Sequence, residues 1–335
     1  MITSTSVTAV AHPNIALVKY WGKRDENLIL PCADSLSVTL DVYPTTTTVR
    51  LLPLASGDIV LINDKAAHGE QLNRVTAFLD LVRERAALPV SAAVSTHTTV
   101  PLGAGLASSA AGFAALARAA SIAFGLGLDD RALSRLARRG SGSAARSVYG
   151  SYVQWYAGAA DAPDPDTASY AEPVEGVTLG LALVVVLVDS GPKPISSREA
   201  MRRTQSTSPI YPRWLDRTHH QVRLLRRALV DGDLESVGRI AEDNALSMHA
   251  TMESASPPVV YRTDASHQVL ADVRRLRRGG EGVWATMDAG PNVKVLCSSS
   301  DASRISTELR EMTGLRTFVA CPGPGATVLR PEKSP

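Results

Sequence analysis

Apolar and polar positions in the first hundred residues alternate in short runs rich in Val, Thr and Ile. That period of two predicts strands at Ser6 to Ala11, Leu36 to Leu40, Thr46 to Leu52 and Ile59 to Ile62. The spacing then changes to a helical one over Glu70 to Ala87, where Leu72, Val75, Phe78, Leu79 and Val82 fall on one face, before another strand at Val90 to Thr96. Leu106 to Phe124 is dense in Ala and apolar on nearly every side, the pattern of a helix buried between other elements. Asp129 and Asp130 head a short helix ending near Gly140, and Ser141 to Ser147 opens a further turn. Ala157 to Pro173 has no periodicity and reads as a surface loop. A second series follows: a strand at Leu181 to Val188, four amphipathic segments (Ser197 to Thr204, Arg213 to Val230, Leu234 to Met252, Ser266 to Arg278), strands at Val283 to Met287 and Val293 to Cys297, a helix at Ala302 to Met312 and a strand at Arg316 to Ala320. This order predicts an α+β protein with no internal repeat.

A chain of 335 residues exceeds what one core usually organises, so two lobes are expected. The net charge of +2 gives no global reason to bind nucleic acid or an anionic membrane, so any anion must be held by a local site. Cys32, Cys297 and Cys321 are few, odd in number and far apart, which argues against a disulfide framework and for a reducing compartment. They read as small buried side chains. The longest apolar run, Leu179 to Val188, is too short to cross a bilayer, and a cytoplasmic protein is expected. The seven histidines show no metal-ligand spacing.

Four segments carry candidate chemistry. The first, Pro101-Leu-Gly-Ala-Gly-Leu-Ala-Ser-Ser-Ala-Ala111, is a Gly-rich turn running into the long helix. Its glycines allow close backbone approach to an anion, its first-turn amides lack internal partners, and the helix dipole favours negative charge. Ser108 and Ser109 can add hydroxyls to phosphate or Mg²⁺; the competing reading is an ordinary turn with a Ser cap. Second, two of only six lysines, Lys19 and Lys23, flank Tyr20 and Trp21 in a chain with 29 arginines. They suggest compact ammonium charges beside amphipathic rings, or simply lysines snorkelling at a strand end. Third, Arg139-Gly-Ser-Gly-Ser-Ala-Ala-Arg-Ser147 sets Ser141, Ser143 and Arg146 around a Gly turn, a nest suited to an anion, unless Ser141 is a cap and Arg146 a solvated side chain. Fourth, Asp288 in Thr286-Met-Asp-Ala-Gly-Pro-Asn292 is a lone acid ending an apolar strand, placed to be a tuned base or to cap the turn.

Pro-x-x-x-Gly-Leu-x-Ser-Ser-Ala resembles the phosphate loop of the GHMP kinase superfamily. Ala11-His-Pro-Asn-Ile-Ala-Leu-Val-Lys-Tyr-Trp-Gly-Lys23, Gly-Ser-Gly-Ser-x-x-Arg146 and Asp288-Ala-Gly-Pro-Asn resemble the family of mevalonate diphosphate decarboxylases within it. The matches run in family order from Ala11 to about Ala320. The resemblance implies a two-lobed GHMP kinase fold with the active site in the cleft, an ATP-binding domain over 1–175, a C-terminal domain over 176–330 and a disordered tail at 331–335. It also implies ATP held by Pro101, Gly103, Ala104, Gly105, Leu106, Ala107, Ser108 and Ser109, with Mg²⁺ reached through the phosphates and Ser108. A mevalonate diphosphate substrate would be held by Tyr20, Trp21, Lys23, Ser141, Ser143 and Arg146, with Asp288, Lys19 and Arg146 catalytic. A homodimer is the expected assembly. Ser196, Ser197, Met201 and Thr204, and the stretch Ser247 to Thr251 with His249, resemble segments lining the cleft. Two departures stand out: His12-Pro13 ahead of Asn14, and Thr98-Thr99-Val100 ahead of Pro101. Kinases that stop at phosphorylation, and decarboxylases of a monophosphate, remain rival readings; an arginine-rich nucleic-acid binder is the rival from another class.

Overall fold

The computed structural model describes residues 6–53, 57–99, 108–189, 191 and 195–329. The expected loop residues Pro101, Gly103, Ala104, Gly105, Leu106 and Ala107 lie outside them, as does the segment 331–335. The alternating runs of the first hundred residues build a six-stranded sheet in the order Thr327–Leu329, Ser6–Ala11, Thr45–Leu52, Ser91–Thr98, Ile59–Ile62, Lys65–Ala66. Its pairings are antiparallel except that of Ile59–Ile62 with Ser91–Thr98. Register sets Val49 opposite both Val7 and Val94, and all three are buried. On the other face Thr8 and Thr48 bond through their hydroxyls at 2.9 Å. Period-two alternation thus separates a core face from a polar face. The helices Gly69–Ala86, Ser108–Ala123 and Asp130–Gly140 share the core with this sheet. The Ala-rich helix is buried from Ala110 to Ala111 and again over Phe113 to Ala117, because its small side chains allow close approach on several sides at once.

A second sheet runs Ala171–Pro173, Tyr152–Trp155, Ser35–Thr39, Asn14–Val18, and a third runs Trp284–Met287, Val293–Ser298, Leu181–Leu187, Arg316–Ala320. Ile15, Leu17, Leu36 and Val38 from the second share one core with Leu181, Leu183 and Leu296 from the third, and with Val222, Leu225 and Leu229 of the helix Tyr211–Val230. That shared core fixes the two halves of the chain against each other. Val293, Val295 and Cys297 point to the far side, into a cluster with the helices Asp264–Arg278 and Ala302–Thr313. By alternation Lys294 and Leu296 point toward the N-terminal half. The terminal strand Thr327–Leu329 returns to the first sheet and pairs with Ser6–Ala11.

Several expectations need correction. The stretch read as a loop contains a helical turn, Pro165–Ala168, capped by Asp164 with Pro at its start, and the strand Ala171–Pro173. Of the cysteines only Cys297 is buried; Cys32 and Cys321 are partly exposed, and all three are free. Ser141 ends the helix Asp130–Gly140 rather than starting the next one. Arg146 is 3% exposed, which rules out a solvated surface role.

Candidate active site

Two of the three catalytic candidates, Lys19 and Asp288, sit where an apolar strand stops, and Arg146 lies in the short helix Ala144–Ser147. Asn14–Val18 is buried at every position, so the strand delivers Lys19 to the interior at its end. The Lys19 amide donates to Asn244 Oδ1 at 2.8 Å. Asn244 is itself fixed by Thr218 Oγ1 and Gln221 Oε1 at 3.1 and 2.7 Å. Trp284–Met287 is likewise buried throughout, and Asp288 follows it. From opposite halves of the chain, Lys19 Nζ meets Asp288 Oδ1 at 2.8 Å. The same ammonium donates to the Ala16 carbonyl at 2.7 Å, so two of its three protons are used by these bonds.

Arg146 is held by three bonds: Nε and Nη2 to Asn14 Oδ1 at 3.2 and 3.1 Å, and Nη1 to Ser35 Oγ at 2.6 Å. Its guanidinium lies 5.8 Å from the centre of the Trp155 ring. Asn14 also donates to the Ser143 carbonyl and to Ser147 Oγ, tying the Gly-Ser-Gly-Ser turn to the strand that carries Lys19. Tyr20 packs edge-on against Trp155 with centroids 4.7 Å apart, and its hydroxyl is buried with no protein partner. Gly142 lies under that ring: a Cβ there would come within 2.8 Å of it. Ser109 Oγ and Ser141 Oγ stand 3.3 Å apart, so the head of the Ala-rich helix and the Ser turn form one polar surface. Ser108 and Ser109 are exposed in its first turn, where amide donors and the helix dipole attract anions.

Lys294 completes the cluster, its Nζ 3.3 Å from Asp288 Oδ2. Burial alone would raise the Asp288 pKa, but Lys19 and then Lys294 outweigh it and hold the carboxyl well below the usual carboxylate range. Burial pulls Lys19 down from its ordinary value, with Asp288 opposing. It also pulls Arg146 down to about 10, again against the charge of Asp288. Asp288 is therefore ionised, and three cations face one carboxylate. Such an excess of buried positive charge is costly unless an anion arrives. His249 is buried, and desolvation, reinforced by Arg262, lowers it to about 3. Its neutral ring meets the Asp288 carbonyl at 3.1 Å through Nε2; a carbonyl only accepts, so Nε2 carries the proton.

Two models of known families match: the diphosphomevalonate decarboxylase-like N-terminal domain over residues 11–171 and the mevalonate 5-diphosphate decarboxylase C-terminal domain over 183–321. The chain belongs to the diphosphomevalonate decarboxylase family. Among solved members, a structure of MDDEF in complex with MVAPP, AMPPCP and magnesium is 41% identical, covers 98% of this chain and 100% of its own, and superposes with a TM-score of 0.89. The mevalonate diphosphate decarboxylase from Staphylococcus aureus is 37% identical over 98% of this chain and 99% of its own, with a TM-score of 0.92. The diphosphomevalonate decarboxylase of Bos taurus is 34% identical over 316 residues, 86% of this chain and 76% of the relative. The α+β, two-lobed GHMP kinase fold is thereby shown.

For this family member the structure gathers Lys19, Arg146 and Asp288, and brings Ser109 to Ser141. It does not bring Lys23 to them: that ammonium pairs with Glu26 at 2.5 Å, and its backbone pairs with Gln205. Trp21 belongs to an apolar cluster with Met201, Tyr211 and Met248. Gly22, at φ +113°, lies so close to Tyr211 that a Cβ would meet its hydroxyl oxygen at 1.8 Å. Ser196 caps the helix Ser197–Thr207. Sequence reasoning missed Lys294, Asn244 and Ser35. A lysine inside the apolar run Val293-Lys-Val-Leu-Cys297 was the available signal for the first, since an unpaired ammonium is rarely buried.

Proposed function

We propose that this protein carries out ATP-dependent decarboxylation of mevalonate 5-diphosphate to isopentenyl diphosphate, releasing ADP, phosphate and CO₂. The observation that carries the reading is the Lys19–Asp288 pair, joined across the two halves of the chain at 2.8 Å beside buried Arg146 and Lys294. An ionised carboxylate accepts the proton of the substrate's 3-hydroxyl, whose oxygen then takes the γ-phosphoryl group of ATP as ADP departs. Phosphate next leaves the tertiary carbon while the C–C bond to the carboxylate breaks. Its electrons form the alkene and CO₂ is freed.

The protein's part is positional. Asn14 and Ser35 occupy three N–H groups of Arg146, leaving two to grip the substrate carboxylate as a fork. Ser141, Ser143 and the buried Tyr20 hydroxyl hold the diphosphate, with Trp21 as an apolar wall and Lys23 exchanging Glu26 for a phosphate oxygen. Remote binding energy of this kind sets the hydroxyl against the terminal phosphorus. Lys19 has one donor left for the phosphoryl oxygens as charge develops. Ser108, Ser109 and the loop from Pro101 to Ala107 take the ATP phosphates. Bound Mg²⁺ neutralises phosphate charge there, and the exposed, acid-free first turn of the Ala-rich helix suits that load.

The domain division at about 175, a cytoplasmic location and a homodimer complete the proposal. No helix among the described residues is long and apolar enough to cross a membrane. Incubation with mevalonate monophosphate and mevalonate diphosphate side by side tests the substrate: turnover of the diphosphate to isopentenyl diphosphate is expected, and preference for the monophosphate would overturn that part. A product that keeps its carboxylate would show a kinase instead.

A further inference from the structure

We propose that Lys294 is a positioning residue of this site, whose buried ammonium anchors Oδ2 of Asp288 and so turns Oδ1, already on Lys19, toward the reacting hydroxyl. The inference rests on the reaction proposed above. Geometry supports it first. Lys294 is the second residue of Val293–Ser298, directly opposite Thr286 across the sheet. Asp288 lies two residues beyond Thr286, so all three project to the side facing the N-terminal half. Lys294 is 1% exposed, 3.3 Å from Asp288 Oδ2 and 3.5 Å from the Asn292 carbonyl. The ammonium thus faces Oδ2, which is buried, as an ion pair. The Asp288 side chain is 28% exposed although Oδ2 is buried, so the substrate proton falls to Oδ1 and the lone pair that Lys19 does not use.

Energetics point the same way. Lys19 alone would pair Asp288, so a second buried ammonium is not needed for neutrality and leaves the site with surplus positive charge. With Asp288 still paired to Lys19, replacing Lys294 by an apolar side chain of similar length leaves no uncompensated buried carboxylate. The charges facing Asp288 among the described residues are Lys19 from the end of Asn14–Val18, Arg146 from its short helix, Lys294 from the neighbouring strand, and the neutral ring of His249 from the helix Leu234–Glu253. Lys294 is the member of this set that contacts Oδ2, so its removal frees the carboxylate to turn about its bond to Lys19.

The test compares the parent with Lys294→Met, Lys294→Gln and Lys294→Arg. One readout is the protonated-carboxyl band in infrared difference spectra, assigned to Asp288 by its loss in Asp288→Asn; the other is steady-state kcat and KM. In the Met and Gln variants the band is expected to appear about one pH unit or more above the parent. Turnover should fall about ten- to a hundredfold, with the KM for ATP within about threefold of the parent, because the lesion lies in the reacting step. Lys294→Arg should restore most of both. A band that titrates as in the parent, or equal losses in the Arg, Met and Gln variants, overturns the assignment. If the parent itself releases no CO₂ from mevalonate diphosphate, the reaction proposed above fails, while the infrared titration still decides the placement of Lys294.

Discussion

Replacing Asp288 with Asn removes the single negative charge among Lys19, Lys294 and Arg146, and the consequences divide by pH. At an effective dielectric of 20, Coulomb attraction across the 2.8 Å Lys19 contact is about 6 kcal/mol before desolvation is charged against it. Breaking a buried pair on one side typically leaves a net loss of about 3–5 kcal/mol. The variant has an escape, because Lys19 can shed its proton. Starting from an ordinary pKa of 10.5, that costs about 5 kcal/mol at pH 7 but only about 2 kcal/mol at pH 9, at 1.36 kcal/mol per unit. The sign follows from linkage: with its folded pKa depressed further, Lys19 binds fewer protons in the folded than in the unfolded variant, so stability rises with pH up to the ordinary lysine value. Urea unfolding of parent and variant should therefore show a deficit of about 3–5 kcal/mol at pH 7 that shrinks to about 2 kcal/mol at pH 9. Turnover should drop by about two to four orders of magnitude while ATP still binds. A deficit that is the same at both pH values would refute the coupling of Lys19 to Asp288, and turnover within tenfold of the parent would remove Asp288 as the base.

Arg146→Lys keeps the charge but loses the planar fork, so kcat/KM for mevalonate diphosphate should fall about a hundredfold with the KM for ATP unchanged; weaker ATP binding at unchanged turnover would move Arg146 to the nucleotide. Gly142→Ala pushes a methyl into the Tyr20 ring and should raise the KM for the diphosphate substrate while leaving the fold intact, as initial rates and circular dichroism would show. Tyr211→Phe removes the 2.9 Å bond to the Trp21 carbonyl, and a stability loss of about 1 kcal/mol is expected by denaturant titration.

Periodicity makes the amphipathic helices legible, since each buries one stripe, as Gly69–Ala86 does with Phe78, Leu79 and Val82. It failed where a strand has no polar face. Asn14–Val18 is buried on both sides, so it shows no alternation and is legible only as a motif. Thr327–Leu329 is three residues long, and its reason to be a strand is a partner at Ser6–Ala11, more than three hundred residues away. Within the site, Lys19, Arg146 and Asp288 could be named from local context, but their convergence could not, because sheet order is a property of tertiary pairing. Lys294 shows the limit plainly. Its neighbours Val293 and Val295 mark a core strand, and only the carboxylate delivered by the adjacent strand end explains a charge there.

The most direct test of the central claim is a single-turnover experiment with ATP, Mg²⁺ and mevalonate diphosphate labelled at its carboxyl carbon, following ADP and labelled CO₂ together. One CO₂ for each ADP is expected, with both lost together in Asp288→Asn. ADP formed without CO₂, or CO₂ released without ATP, would contradict the account.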